Sequence, residues 1–345
     1  MSGSSVARVS RHLVVALAVQ AALLAVIAVV VLDLYAHKQV EAQAGLNIWG
    51  YRGAVVHRRH PGDIRIEIIG GTRAFALGMP ASWTVATVLR QQVMLVTDRR
   101  GGAIRPVVPI MLARPGALPD SYPETVDHFA YLQPDYICLY DDLGVGGALL
   151  PEETSGVFAR IGYWPALPLV LREKGMAWRF GSVRLGYRPG ERTVSAAQRP
   201  WTSRAAGALL ERAGEGLSAL DGAMTHARPR RSGTGDPDVY ANQMLQAVDA
   251  ALQHARGVVV VVSPAESAAQ SANLAALLPR MKRRLAATRQ LRFVDLAGVP
   301  ALTDTSQRLD DWNYGGDGIK AAAVAITPAV LELIAQQAQD DAGKR

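Results

Sequence analysis

Four stretches of this chain carry residue types that acyl transfer needs. An apolar run from Ile64 to Ile69 ends in Gly70-Gly71-Thr72-Arg73, which presents a hydroxyl on a glycine turn directly after a strand. Asp141-Asp142 follow a second apolar run, Tyr136–Tyr140, and Ser263 follows a third, Gly257–Val262. Near the other end, Asp310-Asp311-Trp312-Asn313 precedes an apolar helix from Ile319 to Ile334. A hydroxyl attacks an ester carbonyl when a base takes its proton and donors meet the developing negative charge. Thr72 is the candidate hydroxyl, although its branched Cβ restricts χ1 and crowds the line of attack. A carboxylate beside it serves as base where burial raises its pKa, which puts Asp310 and Asp311 forward. Asn313 has no basic nitrogen. The histidines are His12, His37, His57, His60, His128, His226 and His254, so no imidazole follows residue 254.

These residues meet only if several strand ends lie side by side. The spacing predicts strands at Ile64–Ile69, Arg105–Leu112, Tyr136–Tyr140, Gly257–Val262 and Leu291–Leu296. Between them, helices are expected at Ser82–Val96, Glu124–Leu132, Val239–Ala255 and Ala268–Arg284, with the C-terminal helix last. Continuously apolar strands alternating with helices imply a three-layer α/β/α sandwich, with a parallel, flavodoxin-like sheet covered on both faces. Ligands in such sheets bind beyond the carboxyl ends of the strands. Thr72, Asp141, Asp142 and Ser263 all fall there. Asp310, Asp311 and Asp317 have a plainer reading too, as a solvated loop capping the helix that follows.

The same blocks resemble the SGNH/GDSL hydrolases, in their membrane-anchored bacterial subgroup with a Gly-Gly-Ser nucleophile block. Gly70-Gly71-Thr72 is similar to that block, with threonine in place of the serine. Pro134-Asp135-Tyr136-Ile137-Cys138-Leu139-Tyr140-Asp141 resembles the family stretch before its oxyanion asparagine, and Gly144 stands at the asparagine position. Asp310-x-x-Asn313 stands where the family has Asp-x-x-His. The resemblance covers roughly residues 64–145 and 238–335. It implies that Thr72, Asp310 and Asn313 occupy the catalytic positions, and Ala113 or Gly116, with Gly144, the oxyanion positions. Gly71, Arg73, Asp141, Asp142 and Asp311 would line the pocket. It further implies an SGNH-fold protein that has lost its acyl-transfer machinery and binds an envelope glycan or lipid, or serves in a membrane-protein complex. The rival expectation is an active esterase or O-acyltransferase using Thr72 with a non-standard base. A flavodoxin-like binding module outside the family is a third, and no glycine-rich phosphate fingerprint accompanies it.

Leu13–Leu32 is a 20-residue apolar stretch interrupted only by Gln20. As a helix it is long enough to cross a hydrocarbon core of about 30 Å. Arg8 and Arg11 precede it while Asp33 follows, which orients residues 1–12 to the cytoplasm and the rest outside. The expectation is one uncleaved anchor in a bacterial plasma membrane, a connector over 33–63, and an extracytoplasmic domain over 64–340. A cleaved signal peptide is the alternative, with Ala42-Gln43-Ala44 as its small-x-small site. The formal net charge of +7 lacks the basic-aromatic alternation of a nucleic-acid face. The single Cys138 excludes a disulfide within the chain, and no His or Cys cluster suggests a metal or other cofactor.

The alternation breaks over about 146–236. Val157–Leu171 is apolar but too short and proline-broken to cross a membrane. It reads either as a lid packed on the core or, with Tyr163, Trp164, Arg160 and Arg172, as a segment in the headgroup zone. Thr225–Gly235 reads as an exposed basic loop.

Overall fold

The chain was analysed as a computed structural model, which describes residues 3–40, 46–76, 79–99, 106–114, 116–144, 155–161, 163–182, 186, 196–223, 235–304 and 314–343. The β-branched and apolar runs become five parallel strands: β1 (Ile64–Gly70), β2 (Val107–Met111), β3 (Tyr136–Asp141), β4 (Gly257–Val262) and β5 (Leu291–Asp295). Their order is β2-β1-β3-β4-β5, the flavodoxin-like order. Every residue of β1, β3 and β4 is buried, as expected of strands covered on both faces. Pro109 belongs to β2, at an edge. Ile64 N–H donates to Pro106 O and Leu112 N–H donates to Ile68 O, so even-numbered residues of β2 face β1. Pro109, which lacks an N–H, faces outward where the ladder needs none.

Helices cover both faces. In chain order they are the single turn α2 (Thr72–Phe75), α3 (Val85–Arg99) and α4 (Tyr122–Phe129), then, after an insertion, α8 (Pro237–His254), α9 (Ala268–Ala287), the short α10 (Pro300–Thr303) and α11 (Gly316–Gly343). A Cβ added at Gly257 would lie 3.0 Å from Leu333 of α11 and 3.1 Å from the Tyr136 ring, which places α11 on the Tyr136 face. Asp141 points the opposite way, since neighbouring strand positions alternate, and it accepts hydrogen bonds from Tyr122 of α4 and Tyr240 of α8. α3 packs with α11, and α9 with α8. α11 is long and apolar enough to cross a membrane, but Ile319, Ala322, Ala323, Ile326 and Val330 are buried in the core.

The chain divides into two compact units. One, residues 41–153 and 227–345, holds the sheet. The other joins residues 1–40 to residues 154–226. It contains α1 (Gly3–Val40), α5 (Gly156–Ile161), α6 (Leu167–Phe180) and α7 (Trp201–Ala223). α6 and α7 form an antiparallel hairpin in which backbones nearly touch. A Cβ added at Gly175 would come 2.6 Å from Gly207 O, one at Gly207 2.6 Å from Gly175 O, and one at Gly214 2.5 Å from Pro168 O. Only glycine permits this approach.

α1 extends beyond the expected end at Leu32 because its last turns find partners. Asp33, Ala36 and His37 are buried. Asp33 accepts hydrogen bonds from Tyr163 Oη and from Leu167 N (2.5 Å), and His37 Nε2 donates to Trp164 O at 2.6 Å. Trp164 is buried rather than presented at a surface. The apolar side chains from Leu13 to Leu32 are exposed, as fits membrane association.

Candidate functional site

β2 and β3 lie on opposite sides of β1, so the sheet has its switch point at the carboxyl ends of β1 and β3. That is where a crevice forms in such sheets. β1 ends at Gly70, Gly71 follows, and α2 starts at Thr72. Both glycines are sterically required. A Cβ at Gly70 would sit 2.1 Å from Tyr140 O, and one at Gly71 2.7 Å from Asp142 Oδ2.

Asp142 holds this turn closed. Its Oδ2 accepts from Arg73 N at 3.0 Å and its Oδ1 from Ser263 Oγ at 3.0 Å, which ties β1, β3 and β4 together at one end. Gln270 of α9 adds a bond to Asp142 O at 3.2 Å. Burial pushes the Asp142 carboxyl up to about 6, against the opposing pull of the Arg73 guanidinium and the bond from Arg73 N–H. Arg73 is itself buried. Its guanidinium pairs with Glu266 at 2.6 Å, donates to Pro264 O at 3.4 Å and lies over the Tyr314 ring at 5.2 Å.

Thr72 is buried, and Gly116 N–H donates to its Oγ1 at 3.1 Å. Gly116 reaches this position with φ at 77°, in the left-handed region that favours glycine. Of the two candidates after β2, it is Gly116 whose N–H meets Thr72; Ala113 is buried beside Arg114, whose N–H bonds Gly70 O.

Asp141 is occupied on the other face. Tyr122 Oη donates to Oδ1 at 2.7 Å, Tyr240 Oη to Oδ2 at 2.6 Å, and Gly144 N to Oδ2 at 3.1 Å. Burial raises the Asp141 pKa while those bonds oppose it, and the two tyrosines are held well above 10. Gly144 adopts φ 78°, and a Cβ there would come 2.9 Å from Asn273 Nδ2 and 3.1 Å from the Tyr240 ring. An asparagine side chain here would have to displace Asn273 and press on the Tyr240 ring.

The structure therefore brings Gly71, Thr72, Arg73, Gly116 and Asp142 together, and directs Asp141 and Gly144 into a separate network. Asp310, Asp311 and Asn313 lie outside the described residues. Tyr314, which follows Asn313, is buried beside Arg73. Sequence reasoning noted Ser263 only as a strand end, and it missed Glu266, Gln270, Tyr314, Tyr122 and Tyr240. The tyrosines and Gln270 sit on helices or loops distant in sequence, without a motif to mark them. Among the described residues, no group of three His, Cys, Asp or Glu side chains is placed to hold a metal ion. A cleft of about 560 Å³ opens along the β2 edge between Arg52, Thr84, Arg90 and Val108; Thr72 does not line it.

No protein-family model matches this chain, and no curated protein matches it.

Proposed function

We propose that this protein is a membrane-anchored, extracytoplasmic relative of the SGNH hydrolases that binds an acylated envelope glycan or lipid at the Thr72 end of the sheet without turning it over. One observation carries the reading: the Thr72 hydroxyl is met by Gly116 N–H, while Asp142, the acid closest to the turn, is committed to Arg73 N and Ser263 Oγ. Acyl transfer needs a base on the hydroxyl oxygen's own proton. Among the described residues, no carboxylate or imidazole is hydrogen bonded to Thr72. Asp142 shapes the turn that presents the hydroxyl and takes no proton from it. The sheet order and the sequence order of the blocks support the relationship to the SGNH fold, and Arg8 and Arg11 ahead of the apolar run Leu13–Leu32 support an extracytoplasmic sheet unit.

A second reading, esterase or O-acyltransferase, is favoured by the Gly116 N–H itself, a backbone donor 3.1 Å from the Thr72 hydroxyl that an attacked ester would also approach. One comparison separates the two. The purified full chain is expected to hydrolyse p-nitrophenyl acetate no faster than its Thr72→Ala variant. Under the binding reading, an O-acetylated oligosaccharide raises the melting temperature of the wild type and not of Arg73→Ala, because a ligand specific to the folded state stabilises it. Robust wild-type turnover abolished by Thr72→Ala would make the protein an enzyme.

A further inference from the structure

The membrane helix is not an independent tether: its last turns are built into the α6–α7 hairpin. Asp33 is the first charged residue after the apolar run, and it receives Leu167 N–H at the first turn of α6. The hairpin thus begins within about one helical turn, ~5 Å, of the point where α1 leaves the hydrocarbon. That is headgroup depth.

α7 presents two contrasting sides. Gly207 and Gly214 face α6. At about 100° per residue, Ala205, Leu209, Ala213, Gly216 and Leu220 fall on the side turned away. All five are exposed and none is charged. With Trp201 at its start, this stripe runs roughly 28 Å. Its large members stand open to solvent, with Trp201 72%, Leu209 70% and Leu220 67% exposed. Arg212 falls on this same side, between Trp201 and Ala205 in projection, while Arg204 and Glu215 flank it; all three are exposed. Over residues 156–223 the sequence holds ten Lys and Arg against five Asp and Glu, an excess of five in a chain whose net charge is +7.

We propose that the outer side of α7 lies in the bilayer surface, with anionic lipid as its occupant. An in-plane helix of this type buries Trp and Leu at the acyl boundary and sets its basic residues among the headgroups. Three observations favour lipid over protein as the cover: the depth fixed by Asp33, the exposed Trp201, Leu209 and Leu220 on one side, and the arginines within and beside that side, Arg212 and Arg204. The consequence is a second membrane contact, which stops the hairpin from swinging about α1.

The inference rests on α1 crossing the bilayer, which is checked separately by retention of the full chain in the membrane fraction at high salt. The full chain is then reconstituted in vesicles of phosphatidylglycerol and phosphatidylcholine, with or without bromine on the acyl chains. The emission lost in Trp201→Phe isolates the Trp201 signal, and bromolipid is expected to quench most of it. Leu209→Glu with Leu220→Glu is expected to abolish that quenching while the melting temperature and membrane retention stay unchanged. Equal Trp201 emission in brominated and plain vesicles overturns the proposal. So does a disulfide-linked dimer formed by Leu209→Cys, which would make a second copy the cover. The native Cys138 does not confuse that experiment, being buried with its thiol pushed up to about 12.

Discussion

Glu67 lies inside the sheet, paired in register with Ile110 and Ile137, and among the described residues neither of its carboxylate oxygens has a hydrogen-bond partner. Arg65, two positions earlier on the same face, does not rescue it, because its guanidinium donates to Leu132 O and His57 O. Burial pushes the Glu67 pKa from the usual 4.5 up to about 8, with Arg65 opposing. The folded state therefore holds this proton more tightly than the unfolded state does. Stability contributed by the neutral form is intact below about 4.5, and it declines as pH rises towards 8 and beyond. The full penalty is on the order of 5 kcal/mol. Glu67→Gln is expected to melt higher than the wild type at alkaline pH, and its melting temperature is expected to change less between acid and alkaline buffers. Parallel unfolding curves for the two proteins across that range would contradict the assignment. Arg65 and Glu67 are the two charged residues of the β1 run, which reads as apolar in sequence; the lack of a partner for Glu67 depends on where Arg65 is drawn by distant carbonyls. Thr72 is the reverse case: strand, glycines and hydroxyl are consecutive, so the turn was legible. Its Asp142 clamp was not, because the clamp needs Ser263 from β4.

At the scale of elements, the sheet was readable because β-branched apolar runs of five to seven residues have no competing reading when helices separate them. Boundaries moved by a few residues; α11, for example, begins at Gly316 rather than Ile319. The insertion was not readable. α7 carries apolar residues on its outer side as well as its inner one, which blurs the helical period. Pro165 and Pro168 looked like breaks, yet Pro168 falls in the first turn of α6, where a missing N–H costs nothing. The glycines on which the hairpin depends lower helix propensity and so carry no helical signal of their own. Gly175→Ala is expected to cost about 1–3 kcal/mol in this unit, since its methyl group would press on Gly207 O and the α7 backbone. Limited proteolysis should then cut between α6 and α7 faster than in the wild type. Gly222→Ala, which would meet no atom within 4 Å, is the control expected to leave the cleavage rate unchanged or slower.

At the scale of the molecule, two units with separate cores share one chain that leaves the second unit after α1, builds most of the sheet's first half, and returns. Sequence reasoning placed the interruption near the right residues but had no means of seeing that it belongs with α1, because the link is a single carboxylate and an imidazole. Asp33→Ala removes the acceptor for Tyr163 Oη and Leu167 N. Hydrogen exchange on the full chain is expected to speed up in the first turn of α6 by an order of magnitude or more, at about 1–3 kcal/mol for an unsatisfied buried donor. Amides of β1, β3 and β4 should keep their protection. Equal acceleration in both units would mean they unfold as one.

The Asp33–Tyr163 bond also orders events during synthesis. Its partners are 130 residues apart, and the first of them follows directly on the apolar run. By the time Tyr163 is synthesised, the helix that carries Asp33 has long been made. The insertion is thus completed against a part that already exists. A chain made without its leading helix would have its sheet but no template for the hairpin.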